Sequence, residues 1–568
     1  MTFTFSVTAA DWGRIAPELV LAIMTLLVMI VDLLLPQPTV GAQFIAARKE
    51  SGPTNFLVLP LVSLLGLAGA IVATIVLFAA GDQQTAFNQM IGSDDGSLYA
   101  YIIILSASVL GVLLSPAYLK RLNIVHQGEY YALFLLATLG MMLLAAATSF
   151  LMVFLGLEML SLALYILCSF VTRPSRVGAQ FIAPSQEAGM KYFLLSSFAS
   201  AFLLYGIALT YGATGNTSFA GVSAFLSQRA FHSSTLLLVA MGLLTVGFAF
   251  KVSAIPFQAW TPDVYDGAPA PVTAFMSVGT KAAALVAFAR IFDVVLFNAQ
   301  ADWRPVVWAI AILTIVGGNV LALAQNNLKR MLAYSSIAHA GYLLIGVVVG
   351  GAVGLGAILF YLLCYGFMNL GAFGVVSLLE RVDNGGNSYS DIRGLWYRQP
   401  LLAGILAIFM FALAGFPPMS GFAAKYYIFY AALQGGRPEL LIIGVLASVL
   451  GMYYYLRVAA IMFMEKEVVT APAVPATAVP ATGKRASTKL GNSGKLSSTG
   501  TATAVAVKPT TTPNGGAQFI APSAPSSRLN SLSWLALGLA LVGTFAMGTF
   551  LPFWLVQAAQ YAGQMMLR

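Results

Sequence analysis

Charge is what this chain has least of. Only 9% of its 568 residues are Asp, Glu, Lys or Arg, against about 25% in soluble domains, while 59% are hydrophobic. The mean hydropathy is +0.85. Cysteine is nearly absent: Cys168 and Cys364 both lie in apolar runs, with no CxxC, no heme motif and no His/Cys ligand spacing. Neither a bound metal, an iron–sulfur cluster nor a disulfide is suggested by that usage. A nucleotide loop of the GxGxxG type following a strand is missing too. The first apolar run, Leu19 to Leu35, has no basic n-region and no small-residue cleavage site, and it contains Asp32. It reads as a retained helix, not a signal peptide. What these absences leave is an all-α polytopic membrane protein. Its formal charge of +9 sits mostly in a tail-like segment and in loops, which points to contact with a lipid bilayer and no nucleic acid.

Crossing a hydrocarbon core of about 30 Å takes about 20 apolar residues of helix. Fourteen segments meet that length: 15–35, 57–80, 98–115, 130–148, 150–171, 189–211, 234–255, 272–297, 305–325, 330–350, 354–379, 400–432, 439–464 and 531–556. Loops after odd-numbered helices hold Arg48, Lys49, Lys120, Arg121, Arg173, Arg176, Lys329, Arg330, Arg381, Arg393 and Arg398, whereas the other side holds only Arg14, Arg229, Arg304, Arg437 and Arg568. Basic loops face the cytoplasm, so the reading is N- and C-termini outward.

Three regions follow: a membrane domain over 1–465 with helices one to thirteen, a linker over 466–530, and a last helix with the C-terminus over 531–568. The linker is rich in Ala, Pro, Thr, Ser and Lys; it cannot bury a core and reads as disordered and cytoplasmic. The hexapeptide GAQFIA recurs at Gly41, Gly178 and Gly516, each time in a cytoplasmic loop, as inserted copies of one element or as a binding repeat.

A few charges remain inside the apolar runs. Arg290 and Arg457 lie near helix ends, where long side chains snorkel, and Lys191 is close enough to the start of its helix to do the same. Lys251, Lys281 and Lys425 lie well inside. A lysine at mid-bilayer costs about 2.5–3.5 kcal/mol on insertion scales, so each must face protein or water. Desolvation readily turns a lysine into a proton donor and acceptor; a buried salt bridge is the plainer alternative. Glu158, in FLGLEMLSLALYIL, has no basic residue within a helical turn, so any partner comes from another helix. His339, in YSSIAHAGY, adds a group that titrates near neutrality, or a structural histidine.

Two of the lysines stand beside helix breakers. Pro256 follows Lys251 in GFAFKVSAIPFQAW, and Pro417, Pro418 and Gly421 precede Lys425 in LAGFPPMSGFAAKYYIF. Proline removes a helix hydrogen bond that lipid cannot replace. The breaks fall in helices seven and twelve, five spans apart. An odd offset reverses orientation, so helices 4–8 and 9–13 read as inverted five-helix repeats, in which paired broken helices mark an ion site.

The stretch FKVSAIPFQAWTPDVYDGAPAPVTAFMSVGTKAA, with KRMLAYSSIAHAGY and the second break ending in Lys425, resembles the antiporter-like subunits of respiratory complex I. These are the proton-pumping membrane subunits of type I NADH:quinone oxidoreductase, related to multisubunit Na⁺/H⁺ antiporters. The resemblance covers most of 15–464 and the last helix. Within the family, the opening PELVLAIMTLLVMIVDLLLP is similar to that of the N-type subunits.

The resemblance implies roles by position. Glu158 and Lys251 match an interacting Glu–Lys pair, Lys281 a connecting lysine, and Lys425 the lysine of the second broken helix. His339 matches a polar position of helix ten, and Lys191 a basic residue of helix six. It also implies proton translocation in a bacterial inner membrane, with the other membrane and peripheral subunits of complex I as partners. NADH, FMN, iron–sulfur clusters and quinone belong to those subunits, and no cofactor to this chain. Two other readings stand beside it: a subunit of a multisubunit cation/proton antiporter, and a membrane scaffold without ion transfer.

Overall fold

Long apolar helices dominate because the backbone has no partner in lipid other than itself. The structure, a computed structural model, describes residues 7–35, 55–122, 124, 127–171, 184–228, 234–380, 386–464, 529–549 and 552–567. The three GAQFIA copies and nearly all of the 466–530 linker lie outside those residues.

The membrane helices run in chain order as α1 (Ala16–Leu34), α2 (Asn55–Ala80), α3 (Asp95–Arg121), α4 (Gly128–Ala145), α5 (Phe150–Cys168), α6 (Pro184–Thr214), α7a (Thr235–Lys251) and α7b (Trp260–Gly267), α8 (Ala270–Ala289), α9 (Gln300–Leu323), α10 (Leu328–Val349), α11 (Gly351–Leu379), α12a (Pro400–Ala414) and α12b (Ser420–Gln434), α13 (Pro438–Met464), α14 (Leu529–Thr549) and α15 (Pro552–Met566). Among the described residues, twelve helices are long and apolar enough to cross a membrane, and Thr235–Lys251 and Pro400–Ala414 are shorter apolar helices. Those two are the first halves of the broken helices. A tight turn separates the fourth and fifth helices: α4 ends at Ala145, and the Ser149 hydroxyl accepts from Leu151 N at 3.2 Å to cap α5, a cap of the kind worth about 1 kcal/mol.

Burial sorts the helices. α8 is wholly buried and α10 nearly so, whereas α1 and α2 are mostly open. Open apolar faces on α1 and α2 (Ile23, Leu26, Ile30, Leu65, Val72, Val76) suit lipid or a neighbouring chain. The covered helices α3, α8, α10 and α11 pack on one another, and Lys281, Lys329, Ser336 and His339 are buried among them. Between α2 and α3, β1 (Thr85–Ala86) and β2 (Ile91–Gly92) form a small antiparallel hairpin, with Thr85 opposite Gly92.

At both breaks, side chains meet backbone groups that the helix no longer pairs. After α7a, Ser253 takes a left-handed conformation (φ 64°), Ile255 N donates to Thr314 Oγ1 at 3.0 Å, and Trp260 Nε1 returns to Phe250 O at 3.1 Å. After α12a, Gly415 (φ 94°) terminates the helix. Gly421 is not part of that break: it lies inside α12b, where a Cβ would meet Ala412 O at 1.8 Å. Only glycine lets the two halves approach so closely. At the C-terminal end, the helix expected over 531–556 is two helices. Contacts of Gly543 with Phe367 and of Gly563 with Gly356 align α14 and α15 along α11.

Candidate functional site

Lys251 is the last residue of α7a and is 2% exposed. Its Nζ donates to Ser161 Oγ on α5 at 2.6 Å, with Ser196 Oγ and Tyr192 OH of α6 at 3.4 and 3.5 Å. The Tyr192 ring stacks on Trp260 of α7b, centroids 4.7 Å apart. Glu158 lies three residues before Ser161, so it shares a face of α5 with it. The two expected partners do not touch: all three acceptors of Lys251 are hydroxyls, and Glu158 Oε1 is buried without a protein partner. Beside them a narrow crevice is lined by Leu157, Ser196, Ser200 and Lys251, and Ser200 Oγ too is buried and unpartnered. Buried polar groups left this way are normally met by ordered water.

Lys281, on α8, is 1% exposed and donates to both the carbonyl and the hydroxyl of Ser336 on α10. Tyr265 and Tyr365 approach the same serine, their hydroxyls buried without a hydrogen-bond partner. Three residues further along α10, His339 Nδ1 meets Tyr361 OH at 2.7 Å and Nε2 meets Tyr455 OH at 3.2 Å. Another three residues on, the ring of Tyr342 lies 5.6 Å beneath Lys425 Nζ. Ser336, His339 and Tyr342 are spaced to fall on one helical face, so α10 presents a polar stripe from Lys281 toward Lys425.

Lys425, on α12b, donates to the carbonyls of Leu413 and Ala414 at 3.1 and 2.9 Å and to Ser448 Oγ at 3.0 Å. The two carbonyls are among those that the end of α12a leaves without intrahelical partners. A cation there also meets the negative end of the half-helix dipole.

Lys191 stands apart. Its side chain is 42% exposed and pairs with Glu187 at 2.8 Å and Asp263 at 2.9 Å. With Asp266 and Arg330 these residues line an open hollow of about 130 Å³. Its chain neighbour Tyr192 turns inward to Lys251. Arg290 is buried in an ion pair with Asp94 at 2.7 Å, and Arg457 reaches Asn326 Oδ1 at 3.0 Å near a helix end. Lys329 and Arg121, counted above as loop charges, are held inside, Lys329 at 2.8 Å from Glu380 and Arg121 on the carbonyls of Ser377 and Leu378. Among the described residues, no three His, Cys, Asp or Glu side chains converge as a metal site.

Sequence reasoning named the ionisable groups and missed the side chains against them: the hydroxyls of Ser161, Tyr192 and Ser336, and the ring of Tyr342. The spacing in SSIAHAGY carried that signal for α10. For Ser161 and Tyr192 no signal existed in the chain alone, since their partner arrives from another helix.

Residues 147–451 match the family described as NADH:quinone oxidoreductase/Mrp antiporter, transmembrane. A protein named NADH-quinone oxidoreductase subunit N from Trichlorobacter lovleyi is 44% identical over 81% of this chain and 91% of its own length. The chain belongs to the NADH-quinone oxidoreductase subunit N family. Another family member, from Chloroflexus aggregans, is 45% identical over 71% of this chain and 82% of its own. Among solved structures, a chain of respiratory complex I from Thermus thermophilus is 33% identical, with a TM-score of 0.62, covering 79% of this chain and 90% of that one. A chain of the Mrp complex from Dietzia matches at 22% identity with a TM-score of 0.71, over 98% of this chain and 99% of that one. That last likeness is one of fold.

Proposed function

We propose that this subunit N family member is a proton-translocating membrane subunit of a bacterial NADH:quinone oxidoreductase, complex I. It sits in the plasma membrane with its termini outward and works among the other membrane and peripheral subunits. NADH, FMN, the iron–sulfur clusters and quinone are bound by those partners and none by this chain. Family membership supports the assignment, and one observation carries the mechanism: the stripe Ser336–His339–Tyr342 touches Lys281 at one end and underlies Lys425 at the other.

In this reading, protons enter at the hollow around Lys191 and Asp263 and reach Lys251 past Tyr192 and Ser196. An ionised Glu158 favours the ammonium form of Lys251; when Glu158 takes up a proton, that support is lost and Lys251 Nζ gives its own proton up. The proton passes to Lys281 and along the α10 stripe to Lys425, which releases it on the other side. Helices 4–8 and 9–13 act as inverted repeats, a view supported by the paired breaks in α7 and α12, five spans apart. Low barriers along the route require water at the unpartnered oxygens of Glu158, Ser200, Tyr265 and Tyr365,.

Proton uptake by reconstituted complex carrying Lys281→Ala tests the route. Undiminished uptake per quinone reduced would remove Lys281 from it. The orientation is tested by thiol labelling of Ser487→Cys, which should not react from outside intact cells.

A further inference from the structure

Lys329 opens KRMLAYSSIAHAGY and reads as a loop charge, yet its side chain is fully buried. Its Nζ has three acceptors: Glu380 Oε1 at 2.8 Å, and the carbonyl oxygens of Asp266 and Ala268 at 2.9 Å each. Those carbonyls end α7b, the half-helix behind the first break. A helix of eight residues leaves its last four carbonyls without partners of its own, and Lys329 supplies a charged donor for the end of this one. Its neighbours grip the same half-helix. Asn327 Nδ2 donates to Asp266 Oδ1 at 3.1 Å, and Arg330 Nη1 to Asp263 Oδ1 at 2.9 Å. From α3, Arg121 donates to the carbonyls of Leu378 and Ser377 at 3.0 and 2.5 Å, holding the end of α11 just before Glu380.

The other end of α7b is the wall of the Lys251 site. Trp260, its first residue, stacks on Tyr192 and donates to Phe250 O, one residue before Lys251. Eight helical residues make a rod about 12 Å long, with Lys329 at one tip and the Tyr192–Trp260 stack at the other.

We propose that Lys329 is a positioning residue for Lys251: by holding the carbonyl end of α7b, it fixes the stack that keeps Lys251 Nζ against Ser161. This rests on the reading of Lys251 as a proton carrier. The rival explanation is that Lys329 does nothing beyond offsetting the buried charge of Glu380.

Three variants of the whole complex separate the two. Glu380→Gln removes the ion pair and leaves the carbonyl contacts. Lys329→Met with Glu380→Gln removes both charges, so no unpaired charge is left inside, and it removes the carbonyl contacts as well. Lys329→Arg keeps a cation with several donors. Proton uptake per quinone reduced is measured in proteoliposomes and normalised to assembled complex. Positioning predicts near-normal coupling in Glu380→Gln and Lys329→Arg. In the double variant it predicts a loss of about ten- to a hundredfold, the scale of a 1 Å misplacement at a reacting group. Equal coupling in the double variant and Glu380→Gln overturns the proposal, as does an equal loss in both.

A second readout does not depend on pumping. A cysteine replacing buried Ser253, at the break, should react faster with a water-soluble thiol reagent once the clamp is gone. It is measured in Lys329→Gln with Glu380→Gln should the methionine variant fail to assemble; unchanged reactivity there overturns the proposal. Normal pumping by Lys251→Ala would defeat the proton reading alone and leave this second readout standing.

Discussion

Lys425 Nζ lies 2.9 Å from the carbonyl oxygen of Ala414, the last residue of the half-helix that ends just before its own begins. The break in α12 thus creates the acceptors that a buried ammonium needs, and the ammonium in turn satisfies carbonyls that lipid would leave bare. Removing the amine should expose both sides of that bargain. Lys425→Met is expected to abolish proton uptake and to destabilise the break by about 1–3 kcal/mol for each carbonyl left unsatisfied. Lys425→Arg should assemble well and still fail to pump, because guanidinium holds its proton far more tightly than an ammonium and does not release it. Uptake and complex yield on native gels, measured together, check the pair of outcomes.

The close approach at Gly421 makes a sharper structural prediction. An added Cβ would meet Ala412 O at 1.8 Å, whereas at Gly404 in α12a the nearest atom is 3.9 Å away. Gly421→Ala should lower the yield of assembled complex, with a cost of about 1–3 kcal/mol for overpacking. Gly404→Ala should leave the yield unchanged.

Ser161 is expected to matter to Lys251 more than its type suggests. It provides the shortest contact of the ammonium, and the remaining hydroxyls stand at 3.4–3.5 Å. Ser161→Ala should cut proton uptake several-fold without loss of assembly, and Ser161→Thr should recover most of it by returning a hydroxyl. Identical uptake in the alanine and threonine variants would mean that the contact is incidental.

Much of the fold could be read in the chain because a membrane makes hydrophobicity a direct statement about position. Among the described residues, the fourteen apolar runs correspond to twelve helices long enough to cross a membrane and two shorter ones that break after Lys251 and after Ala414. The boundaries failed where local composition is neutral: α15 continues to Met566 through Gln, Ala and Tyr, which neither lipid nor water claims strongly. Buried charge was legible as residues and illegible as partners. Lys329 sits at the edge of an apolar run like any loop lysine, and only the packing of α7b and α11 against α10 reveals it as an interior cation. Likewise, Glu158 and Lys251 were expected as a pair, but Ser161 on the same face of α5 takes the ammonium. A sequence shows which groups must avoid lipid; it does not show which of several helices will receive them.

The stripe on α10 should be sensitive at its centre. His339 is held between Tyr361 and Tyr455, so His339→Phe should keep the ring packing while removing both nitrogens. A marked fall in proton uptake with normal complex yield is expected. Unaltered uptake would make His339 a structural residue between two tyrosines.

Proton uptake by vesicles containing complex with Lys251→Ala, normalised to assembled complex and compared with Glu158→Ala and Glu158→Asp, bears most directly on the whole mechanism. Both alanine variants should assemble and lose most of their coupled uptake, while Glu158→Asp, whose shorter carboxylate can still titrate, should retain more than Glu158→Ala. Wild-type proton uptake by Lys251→Ala would contradict the mechanism at its first step.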